Sequence, residues 1–180
     1  MKCFDHITYP KAFIRIRPSK LIKGQVGAFA LRKFKKGEVI VRAKEFEDDN
    51  LMDVAEYNKL DKDTKSLVKA HSTITITTLF VPANINHIKP INFFNHSCNP
   101  NVGFDSDDNY VAIKTIPNGA EFLLDYSFLN TNPHYRMKCL CGAKQCRGTI
   151  TGNERKNRIF VEKFHNYFCS TLRQLLERVQ

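Results

Sequence analysis

The chain has 180 residues, of which 42% are hydrophobic, and a formal net charge of +10. This length suits one domain with room for an appendage, and the apolar share is enough for a core. "MKCFDHITYPKAF" lacks the continuous apolar run of a signal peptide, and no stretch approaches the roughly 18 apolar residues of a membrane span, so a soluble intracellular protein with no membrane partner is expected.

In chain order, "AFIRIR" (12–17) alternates as a strand, and "KGQVGAFAL" (23–31) is a glycine-bearing turn into an apolar strand. "EVIVRA" (38–43) is a further strand after the basic turn Lys35-Lys36-Gly37. Residues 51–70 place Leu51, Val54, Ala55, Leu60, Leu67 and Val68 at mostly helical spacing, with Asp61 as an internal cap. "STITITTLFV" (72–81) reads as one Thr- and Ile-rich strand. "INFFNHSCNPNVGF" (91–104) starts as an apolar, strand-like stretch and runs into Asn95, His96, Ser97, Cys98, Asn99, Pro100 and Asn101. Polar groups set against a core need partners, so this junction asks for something to satisfy it. "YVAIKTI" (110–116) is a strand, "PNG" a turn, and "AEFLLDYSF" (120–128) an apolar stretch ending in an acid and a tyrosine. From Glu154 onward, Ile159, Phe160, Val161, Phe164, Phe168, Leu172, Leu175, Leu176 and Val179 form one helical stripe, expected to pack on the domain, with a weak dimer as the alternative to a monomer. Many short strands with few helices indicate a β-rich α+β domain.

Cys139, Cys141 and Cys146 form a C-x-C-x4-C cluster around a glycine turn. In a reducing compartment such thiols read as ligands rather than disulfides, with a redox or surface thiol cluster as the alternative. Tetrahedral zinc takes four ligands, so the fourth comes from Cys98, Cys3, Cys169 or His134. Cys98 has the best setting, in a rigid Asn-Pro turn, and leaves Cys3 and Cys169 as free thiols. The basic residues are dispersed without the aromatic interleaving of a nucleic-acid module, so nucleic acid is expected as an electrostatic contact at most.

Three segments together resemble the SET-domain protein lysine methyltransferases. "FFNHSCNPN" is similar to the family's Asn-His-Ser-Cys-x-Pro-Asn motif, "GAEFLLDYSF" to its motif ending in Asp-Tyr, and "CLCGAKQCRG" to its post-SET zinc motif. "VGAFALRKFKKGEVI" is a weaker match to the glycine turn that opens the fold. The resemblance implies a SET fold, several small sheets around a knot-like crossing, over 12–130 with 51–70 as an insert. A post-SET zinc segment follows over 131–150, and a C-terminal helix over 151–180. It also implies S-adenosylmethionine as methyl donor, S-adenosylhomocysteine as product, Zn2+ on Cys98, Cys139, Cys141 and Cys146, and a lysine of a histone tail or non-histone protein as acceptor.

By the same resemblance Tyr126 is the catalytic tyrosine, and Asn95 and His96 hold the cofactor. The turn Gly24, Gln25, Val26, Gly27, Ala28 and Phe29 approaches its methionine moiety, and Leu140 covers the adenine. Leu124, Phe80 and Phe128 shape the lysine channel, and Leu124, where the family carries Phe or Tyr, implies passage beyond monomethyl-lysine. The implied location is the nucleus or chromatin for a eukaryotic or host-delivered protein, and the cytoplasm otherwise. Three departures stand out: Gln25 replaces a glycine, Asn92 replaces an arginine, and Phe80 is the nearest aromatic to the expected second active-site tyrosine. They motivate two alternatives, a SET-like binding module without turnover and a basic, zinc-stabilised chromatin- or DNA-binding protein.

Overall fold

The computed structural model describes residues 12–46, 50–74, 78–82, 84–86 and 88–178. Cys3, Val179 and the middle of the 72–81 strand reading lie outside the described residues. Strand β1 (Ile14–Pro18) pairs antiparallel with β2 (Val26–Ala30), Ile14 opposite Ala30 and Pro18 opposite Val26. Their connection turns at Gly24, whose φ of +83° suits glycine. The side chain of Val26 is exposed, whereas Gly27 to Ala30 are buried.

Strand β3 (Val39–Val41) enters the main sheet. A separate small unit follows: β4 (Asn50–Asp53), α1 (Val54–Tyr57), α2 (Lys62–His71), β5 (Thr73–Ile74) and β6 (Thr78–Val81). Its strands lie in the order β4-β6-β5, all antiparallel, over a core that includes Val68, Leu79 and Val81. Asp61 does cap α2, accepting the N–H groups of Asp63 and Thr64 at 3.0 and 2.9 Å. Two expectations change. Leu51 lies in a strand, paired with Phe80, and 72–81 folds as a hairpin rather than one strand. No glycine, proline, asparagine or aspartate marks the reversal in that run, so its alternation reads straight through.

The main sheet is completed by β7 (Asn95–His96), β8 (Val102–Phe104), β9 (Tyr110–Ala112) and β10 (Leu123–Leu124), in the order β3-β9-β8-β10-β7. The residues before β7 form a 3-10 turn, Pro90–Phe93, instead of the expected strand. Pro90 sits at its first position, where a preset φ and a missing N–H cost nothing. Strand β10 runs parallel to both neighbours, β7 and β8, so residues 97–101, which join those two, must cross it. The crossing is tied by Ser97 N–H to Leu124 O at 3.0 Å and Asn101 N–H to Leu123 O at 2.9 Å. The Asn101 side chain adds bonds to Glu121 O and from Leu123 N–H, both 2.8 Å. This is the knot-like crossing.

Beneath it, Phe94 stacks on Phe122 at 5.0 Å and Phe34 meets Phe122 edge-on at 5.5 Å. The C-terminal part begins with the hairpin β11 (Arg136–Lys138) and β12 (Thr149–Thr151), which carries the cysteine loop. Two helices follow where one was expected, α3 (Arg158–Phe164) and α4 (Ser170–Glu177), separated by a 3-10 turn. The break has a tertiary cause. Asp108, in the β8–β9 turn, accepts the Ser170 N–H at 2.7 Å and the Ser170 hydroxyl, taking up a donor that a new helix start leaves free. Phe160, Phe168 and Leu172 join the core through Phe128, so the apolar stripe packs on the domain as expected. No helix among the described residues is long and apolar enough to cross a membrane.

Candidate active site and metal centre

Asn95 and His96 lie on β7 directly beside β10, which places them against the segment ending in Asp125 and Tyr126. The His96 Nδ1 accepts the Tyr126 backbone N–H at 3.2 Å, so in the neutral ring the proton sits on Nε2, 3.5 Å from the Cys98 Sγ. Burial pushes this imidazole down to about 4, a shift that Asp125 opposes and Arg147 reinforces. The Tyr126 hydroxyl donates to the Phe94 carbonyl at 3.1 Å. Burial pushes its phenol well above the ordinary value, so it stays protonated near neutrality.

Asp125 is fully buried and doubly gripped by Arg147, Nη1 to Oδ2 and Nη2 to Oδ1, both at 2.7 Å. The same Arg147 donates its backbone N–H to the Cys98 Sγ at 3.4 Å and stacks its guanidinium over Phe160 at 5.0 Å. One residue thus joins the cysteine loop, the Asp125–Tyr126 corner and the C-terminal helices.

The Sγ atoms of Cys98, Cys139, Cys141 and Cys146 all lie within 4.8 Å of one another, and Cys98 is 3.8 Å from Cys139. Four sulfurs at zinc–thiolate distance on a tetrahedron are about 3.8 Å apart, so the set fits a single zinc ion. Burial pushes the Cys98 thiol up to about 11 and the Cys139 thiol higher still. Burial opposes ionisation of Cys141 too, but N–H groups of Cys98 and Ala143 draw it down to about 6. Ionising all four together needs a cation among them, which is the chemistry of a structural metal site. Cys169 lies elsewhere, packed against the main core at the start of α4.

Glu121, buried and adjacent to Phe122, holds the β1–β2 turn in place. Its carboxylate accepts from Ser19 Oγ at 2.9 Å, Lys20 N–H at 3.1 Å and Asn95 Nδ2 at 2.8 Å. Asn95 Nδ2 also reaches Val26 O at 2.9 Å. Gly27 passes so close that a Cβ there would stand 2.2 Å from Glu121 Oε1 and 3.0 Å from Asn95 Nδ2.

A cavity of about 730 Å³ opens on the Tyr126 side of the site, and Asn95, His96, Gly27 and Glu121 are not among its lining residues. Leu124 and Tyr126 line it together with Ile91, Phe94, Tyr110 and Tyr135. Phe80 and Phe128 do not line it. Phe80 is 44% exposed on β6, and Phe128 is turned into the aromatic cluster of Phe160, Phe164 and Phe168. In the glycine turn, Gly24, Gln25 and Val26 are exposed, while Ala28 and Phe29 belong to the buried interior. Only Val26 and Gly27 of that stretch meet Asn95. Leu140, between two cysteines of the cluster, is 56% exposed.

The SET domain family model matches residues 25–127, more than half of the chain. The chain belongs to the SET domain family. It is similar to histone-lysine N-methyltransferase 2D of Homo sapiens, 38% identical over 65 residues, or 32% of this chain and 1% of that protein. It resembles the H3 lysine-9 specific histone-lysine N-methyltransferase dim-5 of Neurospora crassa at 36% identity over 82 residues, 34% of this chain and 25% of the relative. With the H3 lysine-4 specific histone-lysine N-methyltransferase of Cryptococcus neoformans it shares 42% over 64 residues, 31% of this chain and 4% of the relative. The matched stretch is at most a quarter of the length of any of these three relatives.

Around the site three residues escape sequence reasoning: Glu121 within the matched domain, and Arg147 and Tyr135 beyond it. Glu121 works 102 positions from Ser19, and nothing local announces such a partner. Arg147 does carry a signal, since an arginine directly after a ligand cysteine travels wherever the metal loop goes. Tyr135 is an aromatic in a polar stretch, brought to the cavity wall near Tyr126 only by the turn that its N–H closes on Asn132 O. Gly27→Ala tests the Glu121 arrangement. The new methyl displaces a carboxylate fixed by three hydrogen bonds, and we expect a stability loss of about 2 kcal/mol and at least tenfold weaker cofactor binding, read by thermal unfolding and calorimetry. Wild-type behaviour in both would show that the turn tolerates a side chain.

Proposed function

We propose that this SET domain is an S-adenosylmethionine-dependent protein-lysine N-methyltransferase stabilised by one zinc ion on Cys98, Cys139, Cys141 and Cys146. The observation that carries this is the position of Tyr126. Tyr126, its protonated hydroxyl pinned by Phe94 O, is one of the residues lining a cavity of about 730 Å³, within the size range of small-molecule sites. At Val26 and Gly27 the main chain lies against Asn95 and Glu121, which fill the space a Cβ would take, and this packed backbone supplies a cradle. Asn95, His96 and that cradle would hold the cofactor, whose sulfonium supplies an activated methyl group. Tyr126 orients the acceptor amine rather than taking its proton, because a phenol pushed upward by burial is a poor base. Asn92, where the family carries an arginine, has a structural use: its Nδ2 donates to His71 O at 3.0 Å and its Oδ1 accepts Lys89 N–H at 3.1 Å, binding the 3-10 turn to the end of α2.

The acceptor is a histone or other protein lysine, and nucleus or chromatin is the location that fits the histone-modifying relatives. Incubation with labelled donor, histones and a lysate, followed by identification of the labelled lysine, tests the activity. Cofactor binding with no methyl transfer to any protein would replace enzyme by binding module.

Leu124 carries no hydroxyl to hold a water in the channel, so the product runs beyond monomethyl-lysine. Leu124→Tyr is expected to stop earlier, with the dimethyl fraction of an accepted peptide falling at least tenfold by mass spectrometry, a change of about 1.4 kcal/mol in relative barrier. A wild type that halts at monomethyl under excess donor would defeat this.

A further inference from the structure

The charge around the cavity is one-sided. Lys69, at the end of α2, and Arg136, on β11, line it, while no aspartate or glutamate does among the described residues, and His71, pushed down by burial, is neutral near pH 7. Lys69 and Arg136 are exposed, and neither is in an ion pair among the described residues. Arg136 is nevertheless fixed, its Nη1 donating to Pro133 O at 2.8 Å and Tyr135 O at 2.7 Å, so its charge is held close to the cavity wall that Tyr135 lines. A basic peptide brought to this cavity meets like charges, and an acidic one meets opposite charges.

We infer that the acceptor lysine of this SET domain sits in an acidic sequence context, with Asp or Glu within a few residues of the target, rather than in a uniformly basic tail. This rests on the lysine-methyltransferase reading of the same cavity and narrows its substrate. The rim also serves the chemistry, since nearby cations disfavour the protonated form of an entering lysine and help it arrive as the free amine. Lys69 and Arg136, both exposed and both lining the cavity, act as its selecting charges, one on α2 and one on β11.

The test measures binding and turnover separately. Two fluorescent peptides share one central lysine, flanked by Asp/Glu in one and Lys/Arg in the other. Anisotropy with S-adenosylhomocysteine present reads affinity without turnover. The acidic-flanked peptide is expected to bind at least about fivefold tighter at low salt, with the gap closing at high salt as screening removes it. Lys69→Glu, on the exposed face of α2, is expected to shrink or reverse the preference with cofactor affinity unchanged. Equal or tighter binding of the basic peptide, or binding of neither, overturns the inference. So does a Lys69→Glu variant that loses cofactor affinity but keeps the flank preference, which would assign the rim cations to the cofactor instead. Labelled donor added to the same peptides reads the reaction. An acidic preference with no methyl transfer would uphold the charge selection and count against the enzyme reading alone.

Discussion

Tyr126→Phe is expected to lower kcat by about 10²- to 10³-fold while cofactor affinity stays within about threefold of wild type. The hydroxyl is buried, protonated and aimed by its bond to Phe94 O, so it is placed before substrate arrives. An interaction used mainly in the transition state shows in kcat rather than in ground-state binding. The substitution leaves Phe94 O without its donor, at a cost of about 1 kcal/mol, so thermal stability should move only a few degrees. Single-turnover kinetics with calorimetric cofactor titration separates the two effects. A variant turning over at the wild-type rate would remove Tyr126 from the chemistry.

Loss of the metal is expected to have the larger structural effect. Cys98→Ser, or a strong chelator, should release the zinc, unfold the β11–β12 hairpin with its cysteine loop and abolish activity, because a structural metal site supplies the folding energy of the segment it closes. The damage should reach the active site through Arg147. When its loop detaches, Asp125 is left as a fully buried carboxylate without its guanidinium, a defect of about 3–5 kcal/mol beside Tyr126. Arg147→Ala isolates that step: metal content stays at one per chain while stability and kcat both fall. Metal analysis, amide exchange over residues 136–151 and thermal unfolding decide between these cases. Full zinc occupancy in Cys98→Ser would exclude Cys98 as a ligand.

What could be read from sequence was chemistry confined to short stretches. Cys139, Cys141 and Cys146 fall within eight residues, so their convergence needed only one turn around Gly142. Asp61 caps α2 through bonds to residues two and three positions on, which is why it was legible. Asp125 and Tyr126 are neighbours, and the Asn95–Asn101 run announced itself by placing polar groups beside apolar ones. Cys98 as the fourth thiol lay between these cases: its rigid turn pointed to it, and the fold brought it to the cluster.

By itself, then, the sequence determined the β-rich domain, the cysteine set and the Asn-His and Asp-Tyr pairs, because each is written in local spacing and residue type. Only the tertiary structure decided whether Leu51 is strand or helix, whether 72–81 is one strand or a hairpin, and where the C-terminal stripe breaks. Those choices belong to partners remote in sequence: Phe80 for Leu51, and Asp108 for Ser170 across 62 positions. The same holds for the cavity. Phe128 lies two residues from Tyr126 yet faces the aromatic core, and Tyr135 reaches the wall. Side-chain direction near a knot-like crossing is set by which long-range pairs fill the core and satisfy buried polar groups, and periodicity along the chain carries no record of that.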